Sequence, residues 1–239
     1  MRIVAIIPTR WGSTRFPGKA LVEIAGKPMI ERVWAKASAA DGIDEVIVAT
    51  DDGRIADVVR DFGGHVEMTR DDHESGSDRI AEVAARIEAD AIVNVQGDEP
   101  LVRSSDLNRL AALMRAEPVV DVASLCHAIS AEEAANPNRV KVVRNTVGDA
   151  LYFSRARIPH PREAKSARYF QHAGIYAYRR AALMAFPDLP VPAEERAEAL
   201  EQLRFLAAGY TIRLVETAPS GPGVDTPEDV ATVEGLLDA

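Results

Sequence analysis

Residues 3–20 of this chain read IVAIIPTRWGSTRFPGKA. The first five residues form an uninterrupted apolar run, which is typical of a strand buried on both faces of a sheet. The loop that follows carries Arg10, Arg15 and Lys19 among small residues. In open α/β sheets ligands bind where the parallel strands end, and glycines let backbone N–H groups approach phosphate oxygens. We therefore expect this loop to bind a polyphosphate.

Two common phosphate-binding loops do not match this spacing. The loop of P-loop ATPases has four residues between its glycines and a Ser or Thr after its lysine. Here five residues separate Gly12 from Gly18, and Ala20 follows Lys19. The loop also lacks the Gly-x-Gly-x-x-Gly pattern of dinucleotide-binding folds. The alternative interpretation is a basic surface turn without a ligand.

Apolar runs alternate with amphipathic stretches through the first half of the chain. This alternation is typical of βαβ units around a mostly parallel sheet, so the predicted fold class is α/β. The predicted strands, each with the helix that follows it, are Ile3–Ile7 and Glu31–Ala40, Val46–Ala49 and Ile55–Phe62, His65–Met68 and Ile80–Ile87, and Ala91–Val95 and Leu107–Met114.

The pattern changes after residues 116–118. The next apolar runs come without long helices between them, which favours antiparallel strands added to the sheet. Another strand and a return to helical structure complete the chain. The predicted strands are Val122–Ile129, Val140–Val143, Ala150–Phe153, Ala173–Tyr178 and Thr211–Val215.

Two helices are predicted in the last third of the chain. The first covers residues 194–208, because apolar residues recur there at helical spacing. The second begins after Thr226, where a proline at the first helical position and Asp229 three residues after the Thr are standard start signals. The apolar stripe of the first helix consists of Ala197, Leu200, Leu203, Leu206 and Ala207.

The overall composition excludes several classes of protein. The 239 residues include 28 Lys+Arg and 37 Asp+Glu, giving a net charge of −9, which argues against a nucleic-acid or membrane-surface partner. No apolar run approaches the roughly 18 residues of a membrane span, and the N-terminal run is too short for a signal peptide. The single Cys126 permits no internal disulfide, so we expect a cytoplasmic protein with this thiol in its core.

Two carboxylates stand in turns that follow apolar runs. Asp98 lies in NVQGDEP (residues 94–100), and Asp225 lies in GVDTP (residues 223–227). A nucleoside triphosphate travels with Mg²⁺, which usually takes one or two carboxylates together with phosphate oxygens and waters. Asp98 and Asp225 could supply these two carboxylates. The alternatives are an ordinary strand-end turn for Asp98 and a carboxylate that stabilises a helix N-terminus for Asp225.

The motifs follow a specific order along nearly the whole chain. This order resembles that of the 3-deoxy-manno-octulosonate (Kdo) cytidylyltransferases, or CMP-Kdo synthetases. The matching segments are IIPTR (6–10), STRFPGK (13–19), GKPMI (26–30), VATD (48–51), MTR (68–70), HESG (73–76), NVQGDEP (94–100), LYFSR (151–155), GIY (174–176), LEQLR (200–204) and GVDTPED (223–229).

The resemblance implies a Rossmann-like nucleotidyltransferase of the glycosyltransferase-A type, with a small antiparallel insertion for dimerisation and sugar binding. It implies a single domain over residues 1–239. Residues 1–120 would form its nucleotide-binding half, and residues 121–239 its sugar-binding and dimerisation half. The implied enzyme is a homodimer that uses Mg²⁺ to convert CTP and Kdo into CMP-Kdo and pyrophosphate for lipopolysaccharide biosynthesis.

The resemblance also implies roles for individual residues. The residues expected to act in catalysis are Lys19, Asp98 and Asp225, of which the two aspartates would bind the metal. The nucleotide would be held by Arg10, Ser13, Lys19, Thr69, Ser75 and Arg79. The sugar acid would contact Gln96, Arg155, His172, Tyr176, Glu201 and Gln202.

The chain departs from the family pattern mainly on the sugar side and in the dimer region. Ser77 stands where Thr is usual, His160 where an aromatic residue is often found, Gln171 where a basic residue is common, and residues 193–194 replace a common Pro-Leu. Three alternatives therefore stay open. They are a cytidylyltransferase for a nonulosonic acid such as sialic acid, an 8-amino analogue of Kdo as substrate, and a nucleotide-binding regulatory module without turnover.

Overall fold

The computed structural model describes residues 1–12, 15–73, 75–163 and 167–237. Its strands are β1 (Ile3–Thr9), β2 (Glu23–Ile24), β3 (Lys27–Pro28), β4 (Glu45–Thr50), β5 (His65–Met68), β6 (Ala91–Asn94), β7 (Val122–Ile129), β8 (Lys141–Arg144), β9 (Ala150–Ser154), β10 (Tyr169–Arg179) and β11 (Ile212–Glu216). Its α-helices are α1 (Met29–Ser38), α2 (Gly53–Asp61), α3 (Gly76–Arg86), α4 (Ser104–Ala116), α5 (Arg180–Ala185), α6 (Ala193–Glu198), α7 (Gln202–Ala207) and α8 (Pro227–Leu237).

One mixed sheet organises the molecule, with strand order β11-β7-β10-β6-β1-β4-β5. Strand β1 runs parallel to β4 and β6, β4 is parallel to β5, and β7 is parallel to β11. Strand β10 runs antiparallel to both β6 and β7, and the β8–β9 hairpin joins it through β8. The prediction of an α/β fold with a mostly parallel sheet and a small antiparallel addition is confirmed.

Helices cover both faces of the sheet. Alternate side chains of a strand point to opposite faces, so each strand contributes to two cores. Ala5 and Ile7 pack in one cluster with residues of α1, α2 and α4, whereas Val4 and Ile6 pack in another with residues of α3 and α5. Burial on both faces explains why β1 is a continuous apolar run.

The strand predicted at residues 173–178 is longer in the structure. It extends over Tyr169–Arg179 because it pairs along its length with β6, β7 and β8. These pairings are made with segments distant in sequence. The local apolar pattern therefore underestimated its length.

The prediction of one helix over residues 194–208 is wrong. Helix α6 ends at Glu198, Ala199 adopts a left-handed φ of 51°, and α7 begins at Gln202. Ala197 and Ala207 of the predicted apolar stripe are exposed, whereas Leu200 and Leu203 are buried. The break lets the buried leucines reach the core without carrying the whole stripe inward.

In the described part of the chain, each helix is either too short or too polar to cross a membrane.

Candidate active site

Three loops meet at the carboxyl ends of β1 and β6. Two of their contacts bring a glycine very close to the backbone of a neighbouring loop. A Cβ on Gly97 would lie 2.9 Å from the carbonyl oxygen of Pro8, and a Cβ on Gly223 would lie 3.1 Å from that of Asp98. The N–H of Val224 also donates to the Asp98 carbonyl, at 2.8 Å. These contacts hold the loops after β1, after β6 and before α8 against one another.

Lys19 lies at the centre of this meeting point. Its Nζ is 2.7 Å from Asp98 Oδ2 and 3.1 Å from Asp225 Oδ1, and it also donates to the carbonyl of Val224 at 3.0 Å. Arg15 Nη2 contacts the other oxygen of Asp225 at 3.0 Å. The two carboxylates that the sequence places far apart therefore face one point, together with two cations.

The start of α8 fixes the backbone of Asp225. The carboxylate of Asp229 accepts hydrogen bonds from the N–H groups of Asp225 and Thr226, at 2.9 and 2.8 Å. These backbone donors hold the pKa of Asp229 below its usual value. The predicted helix start at Thr226 is confirmed, and it positions a residue of the site.

A cavity of about 390 Å³ opens above Lys19, and we call it the charged cavity. Of the residues predicted for the nucleotide and metal, Ser13 lies outside the described residues. Thr69 is not among the lining residues, but its hydroxyl accepts a hydrogen bond from Arg79, which lines the cavity. The other lining residues include Arg15, His73, Gly76, Gln96 and Glu201. The predicted residues that line it are Arg10, Lys19, Ser75, Arg79, Asp98 and Asp225.

Arg79 is a buried cation at the wall of the charged cavity, with only 3% of its surface exposed. Its Nη2 donates to Asp51 at 2.8 Å, and its Nη1 donates to the hydroxyl of Thr69. Ser75 caps α3 by accepting a hydrogen bond from the N–H of Asp78 at 3.1 Å. Thr69 and Asp51 thus orient the guanidinium, and the sequence analysis did not assign Asp51.

A second cavity of about 360 Å³ adjoins the first, and we call it the aromatic cavity. Gly76, Gln96 and Glu201 line both cavities. The aromatic cavity lies between β10 and the break that separates α6 from α7. Its further lining residues include Ser77, Asn94, His172, Tyr176, Tyr178, Gln202 and Phe205.

His172 and Tyr176 share one side of the aromatic cavity, as expected for residues four apart in a strand. Strand β10 also contains a bulge between them, because its register with β7 shifts between Ala173 and Tyr176. The two ring centroids lie 5.2 Å apart. The hydroxyl of Ser124 sits under the bulge, 2.9 Å from His172 Nε2 and 2.8 Å from the carbonyl of Ile175.

Burial keeps the main ring groups of the aromatic cavity neutral. It lowers the pKa of His172 to about 3 and raises that of the Tyr176 hydroxyl well above its usual value. Glu201 opens to solvent through the cavities, but the protein atoms around it displace enough water to raise its pKa as well. The aromatic cavity therefore offers neutral hydrogen-bonding groups and one carboxylate.

Arg155 is the predicted sugar-side residue that the structure does not bring to either cavity, within the described chain. Its Nε donates to the carbonyl of Glu198 at 2.7 Å, and its backbone N–H donates to the Glu198 carboxylate at 2.8 Å. Ser154 Oγ donates to the same carboxylate at 2.6 Å. Arg155 therefore stabilises the break after α6, and these contacts from Ser154 and Arg155 explain why the predicted long helix does not form.

Several residues that line the cavities were not predicted from the sequence. Asn94 and Tyr176 lie opposite each other in the β6–β10 register, and Tyr178 follows on the same side of β10. The alternation of tyrosines was visible in the sequence, but the pairing was not.

Glu99 lies beside Asp98 in the loop after β6. Burial raises the pKa of Glu99 to about 7, and repulsion from the Asp98 carboxylate adds to this effect.

Comparisons with known proteins agree with this geometry. A family model described as cytidylyltransferase matches residues 4–212. The 3-deoxy-manno-octulosonate cytidylyltransferase of Escherichia coli is 54% identical over 236 residues, covering 99% of this chain and 96% of that protein. The protein of the same name from Syntrophotalea carbinolica is 50% identical, with 99% of each chain covered.

Solved structures give the same result. A structure described as CMP:2-keto-3-deoxy-manno-octonic acid synthetase complexed with CTP superposes with a TM-score of 0.98 at 53% identity, over 100% of this chain and 99% of that one. The 4-diphosphocytidyl-2C-methyl-D-erythritol synthase of Anaerococcus prevotii, at 14% identity and a TM-score of 0.66 over 100% of this chain and 96% of that one, shares the fold. This chain belongs to the cytidylyltransferase family, and within it to the 3-deoxy-manno-octulosonate cytidylyltransferases.

Proposed function

We propose that this chain transfers CMP from CTP to Kdo, giving CMP-Kdo and pyrophosphate. The observation that carries the proposal is the junction of the two cavities at Gly76, Gln96 and Glu201. A triphosphate in the charged cavity and a sugar acid in the aromatic cavity would meet there. The names of relatives that match over nearly their whole length supply the identity of both substrates.

The charged cavity suits a triphosphate. Arg10, Arg15 and Lys19 line it at the end of β1, and they would offset the charge of the phosphates and of the departing pyrophosphate. The network of Arg79 with Asp51 and Thr69 leaves a buried, oriented polar wall where the base would lie. A site whose polar groups pair with one base leaves them unpaired with another, which disfavours the wrong nucleotide strongly.

Asp98 and Asp225 fit a Mg²⁺ site. One oxygen of each lies within hydrogen-bond distance of the same nitrogen, so both carboxylates face one point. Among the residues described, no group of three or more His, Cys, Asp or Glu side chains is arranged to hold a metal. Phosphate oxygens of CTP and waters would therefore complete the shell, as is usual for Mg²⁺. When bound, the ion would supply charge neutralisation and polarisation of the phosphate oxygens.

The reaction needs positioning more than side-chain chemistry. The anomeric hydroxyl of Kdo attacks the α-phosphorus, a new oxygen–phosphorus bond forms, and the bond to pyrophosphate breaks with the hydroxyl proton lost to solvent. His172, Tyr176 and Gln96 would hold the sugar acid from one side. Glu201 and Gln202 would accept from its hydroxyls on the other.

A homodimer, a cytoplasmic location, a role in lipopolysaccharide biosynthesis and the division into halves at residue 120 are further parts of the proposal. They are supported by the resemblance in the ordered motifs. Light scattering of the purified protein would test the dimer directly.

The proposed function is tested by measuring pyrophosphate release from four nucleoside triphosphates crossed with a panel of sugar acids. The panel contains Kdo, its 8-amino analogue and sialic acid. We expect release with CTP and Kdo, and slower release by orders of magnitude with ATP or GTP. Release with sialic acid but not Kdo would replace the substrate, equal release with GTP would remove the cytidylyl specificity, and no release from any pair would support a module without turnover.

A further inference from the structure

Ser77 occupies an unusual position between the two cavities. It is the second residue of α3, the helix whose Ser75 and Arg79 line the charged cavity. Its own side chain lines the aromatic cavity, where its Oγ donates to Glu201 Oε2 at 2.9 Å. Tyr178 lines the same cavity as Ser77. Glu201, which lines both cavities, is thus held by a residue from the nucleotide side.

We propose that Ser77 is a positioning residue that holds the Glu201 carboxylate ionised and oriented for the sugar acid. The proposal rests on the proposed function, since it takes the aromatic cavity as the sugar site. Ser77 is not expected to touch the reacting atoms. Its effect would pass through Glu201 alone.

The surroundings of Glu201 explain why it needs this donor. Asp78 on α3 and Glu195 on α6 repel the carboxylate, and Arg204 on α7 attracts it. Arg204, however, already forms two hydrogen bonds with Glu195, at 2.8 and 2.5 Å. The hydroxyls of Tyr176 and Tyr178 face the same cavity from β10. A serine has one proton to donate, and here it is directed to Glu201.

The hydrogen bond also has a consequence for pH. Loss of surrounding water raises the pKa of Glu201, and the bond from Ser77 acts in the opposite direction because it favours the charged carboxylate. Removing the hydroxyl would therefore raise that pKa further. Sugar binding depends on an ionised Glu201 in this proposal. On acidification, a variant without the hydroxyl should therefore lose sugar binding at a higher pH than the wild type.

The test compares Ser77→Ala with Ser77→Thr, which keeps the hydroxyl. Ser104→Ala, at the start of α4, is the matched control, because its Oγ donates to the carbonyl of Lys36 away from both cavities. We expect Ser77→Ala to raise the KM for Kdo about fivefold, as for loss of a partly exposed hydrogen bond to a charged group. The KM for CTP should not change, and the acid limb of kcat/KM for Kdo should move to higher pH. Ser77→Thr should keep the wild-type KM for Kdo and the wild-type acid limb.

A double-mutant cycle completes the test. In a Glu201→Ala background, Ser77→Ala should have no further effect on the KM for Kdo, because the partner is absent. An unchanged KM and acid limb in Ser77→Ala, or the same fold effect in both backgrounds, would overturn the inference. Failure of the wild-type chain to release pyrophosphate from CTP and Kdo would instead overturn the proposed function.

Discussion

The charged cavity and the aromatic cavity adjoin each other but are built in different ways. The charged cavity is made of loops after parallel strands, and its main contacts are ion pairs among Lys19, Asp98, Asp225 and Arg15 with largely accessible carboxylates. The aromatic cavity is made of an antiparallel strand and a broken helix. Its lining includes the buried rings of His172, Tyr176, Tyr178 and Phe205 and a single carboxylate, Glu201.

This difference indicates a division of work. Phosphoryl transfer develops charge on oxygens, so its site needs cations and carboxylates near water and metal. Recognition of a hydroxyl-rich sugar acid needs directional hydrogen bonds, which are strongest where water is excluded. Substitutions in the charged cavity should therefore affect phosphoryl transfer, and substitutions around the aromatic cavity should affect sugar binding.

The largest effect is expected in the charged cavity. Asp98→Asn and Asp225→Asn should each lower turnover at least about 10²-fold, because each removes an anionic ligand that acts most strongly in the transition state. Pyrophosphate release at saturating CTP, Kdo and Mg²⁺ measures this. Asp57→Asn, an exposed residue of α2 paired with Arg60, is the control and should be unaffected. Near-normal turnover of either site variant would contradict its role as a ligand.

The next effect concerns the buried His172. Its folded pKa of about 3 lies below the ordinary value of 6.5, so between these values the unfolded chain binds a proton that the folded chain does not. Stability from this group is therefore present above pH 6.5 and is lost as pH falls towards 3. Between pH 7 and pH 5 the loss should be about 2 kcal/mol.

Urea unfolding at pH 7 and pH 5 checks this value. In His172→Gln the decrease in unfolding free energy between the two pH values should be smaller than in wild type by that amount. The exposed His160→Gln serves as the control and should keep the wild-type decrease. An identical decrease in wild type and His172→Gln would mean that His172 is protonated in the folded protein.

A smaller effect is expected for Arg155. It distinguishes a structural role of this residue from direct contact with the sugar acid. Because it holds the break after α6 through Glu198, Arg155→Gln should raise the KM for Kdo about tenfold, as for loss of hydrogen bonds of a charged group, and leave that for CTP unchanged. Glu198→Gln should give the same pattern. If only the Arg155 variant affects Kdo, the arginine contacts the sugar acid directly.

The smallest effect tests the break itself. Ala199 has a left-handed φ of 51°, which strains a side-chain-bearing residue. Ala199→Gly should stabilise the protein by about 0.5 kcal/mol, because relief of this strain exceeds the entropy cost of glycine. Ala197→Gly, two residues earlier and inside α6, should destabilise it by up to about 1 kcal/mol. Destabilisation by both glycines in thermal unfolding would show that Ala199 is not strained.

Much of the charged cavity was predictable from sequence. Continuous apolar runs indicated parallel strands, and residues after such strands lie at one edge of the sheet. Lys19 and Asp98 follow β1 and β6, which are neighbours in that sheet. The pairing of Asp51 with Arg79 and of Arg15 with Asp225 was not predictable, because each contact involves at least one side chain from a loop of unknown geometry.

The aromatic cavity depended on the family resemblance for its residues and on the tertiary structure for its shape. Local patterns predicted a shorter strand over residues 173–178 and an unbroken helix through residue 199. The bulge is stabilised by Ser124 of β7. The helix break is stabilised by Ser154 at the end of β9 and by Arg155, which follows it.

The sequence by itself determined the α/β alternation and the charged loop at the end of β1, because periodic burial and loop chemistry are local properties of the chain. Only the tertiary structure decided where β10 bulges and where the last helical segment breaks. Each of these distortions leaves backbone groups in need of partners, and the partners come from segments distant in sequence.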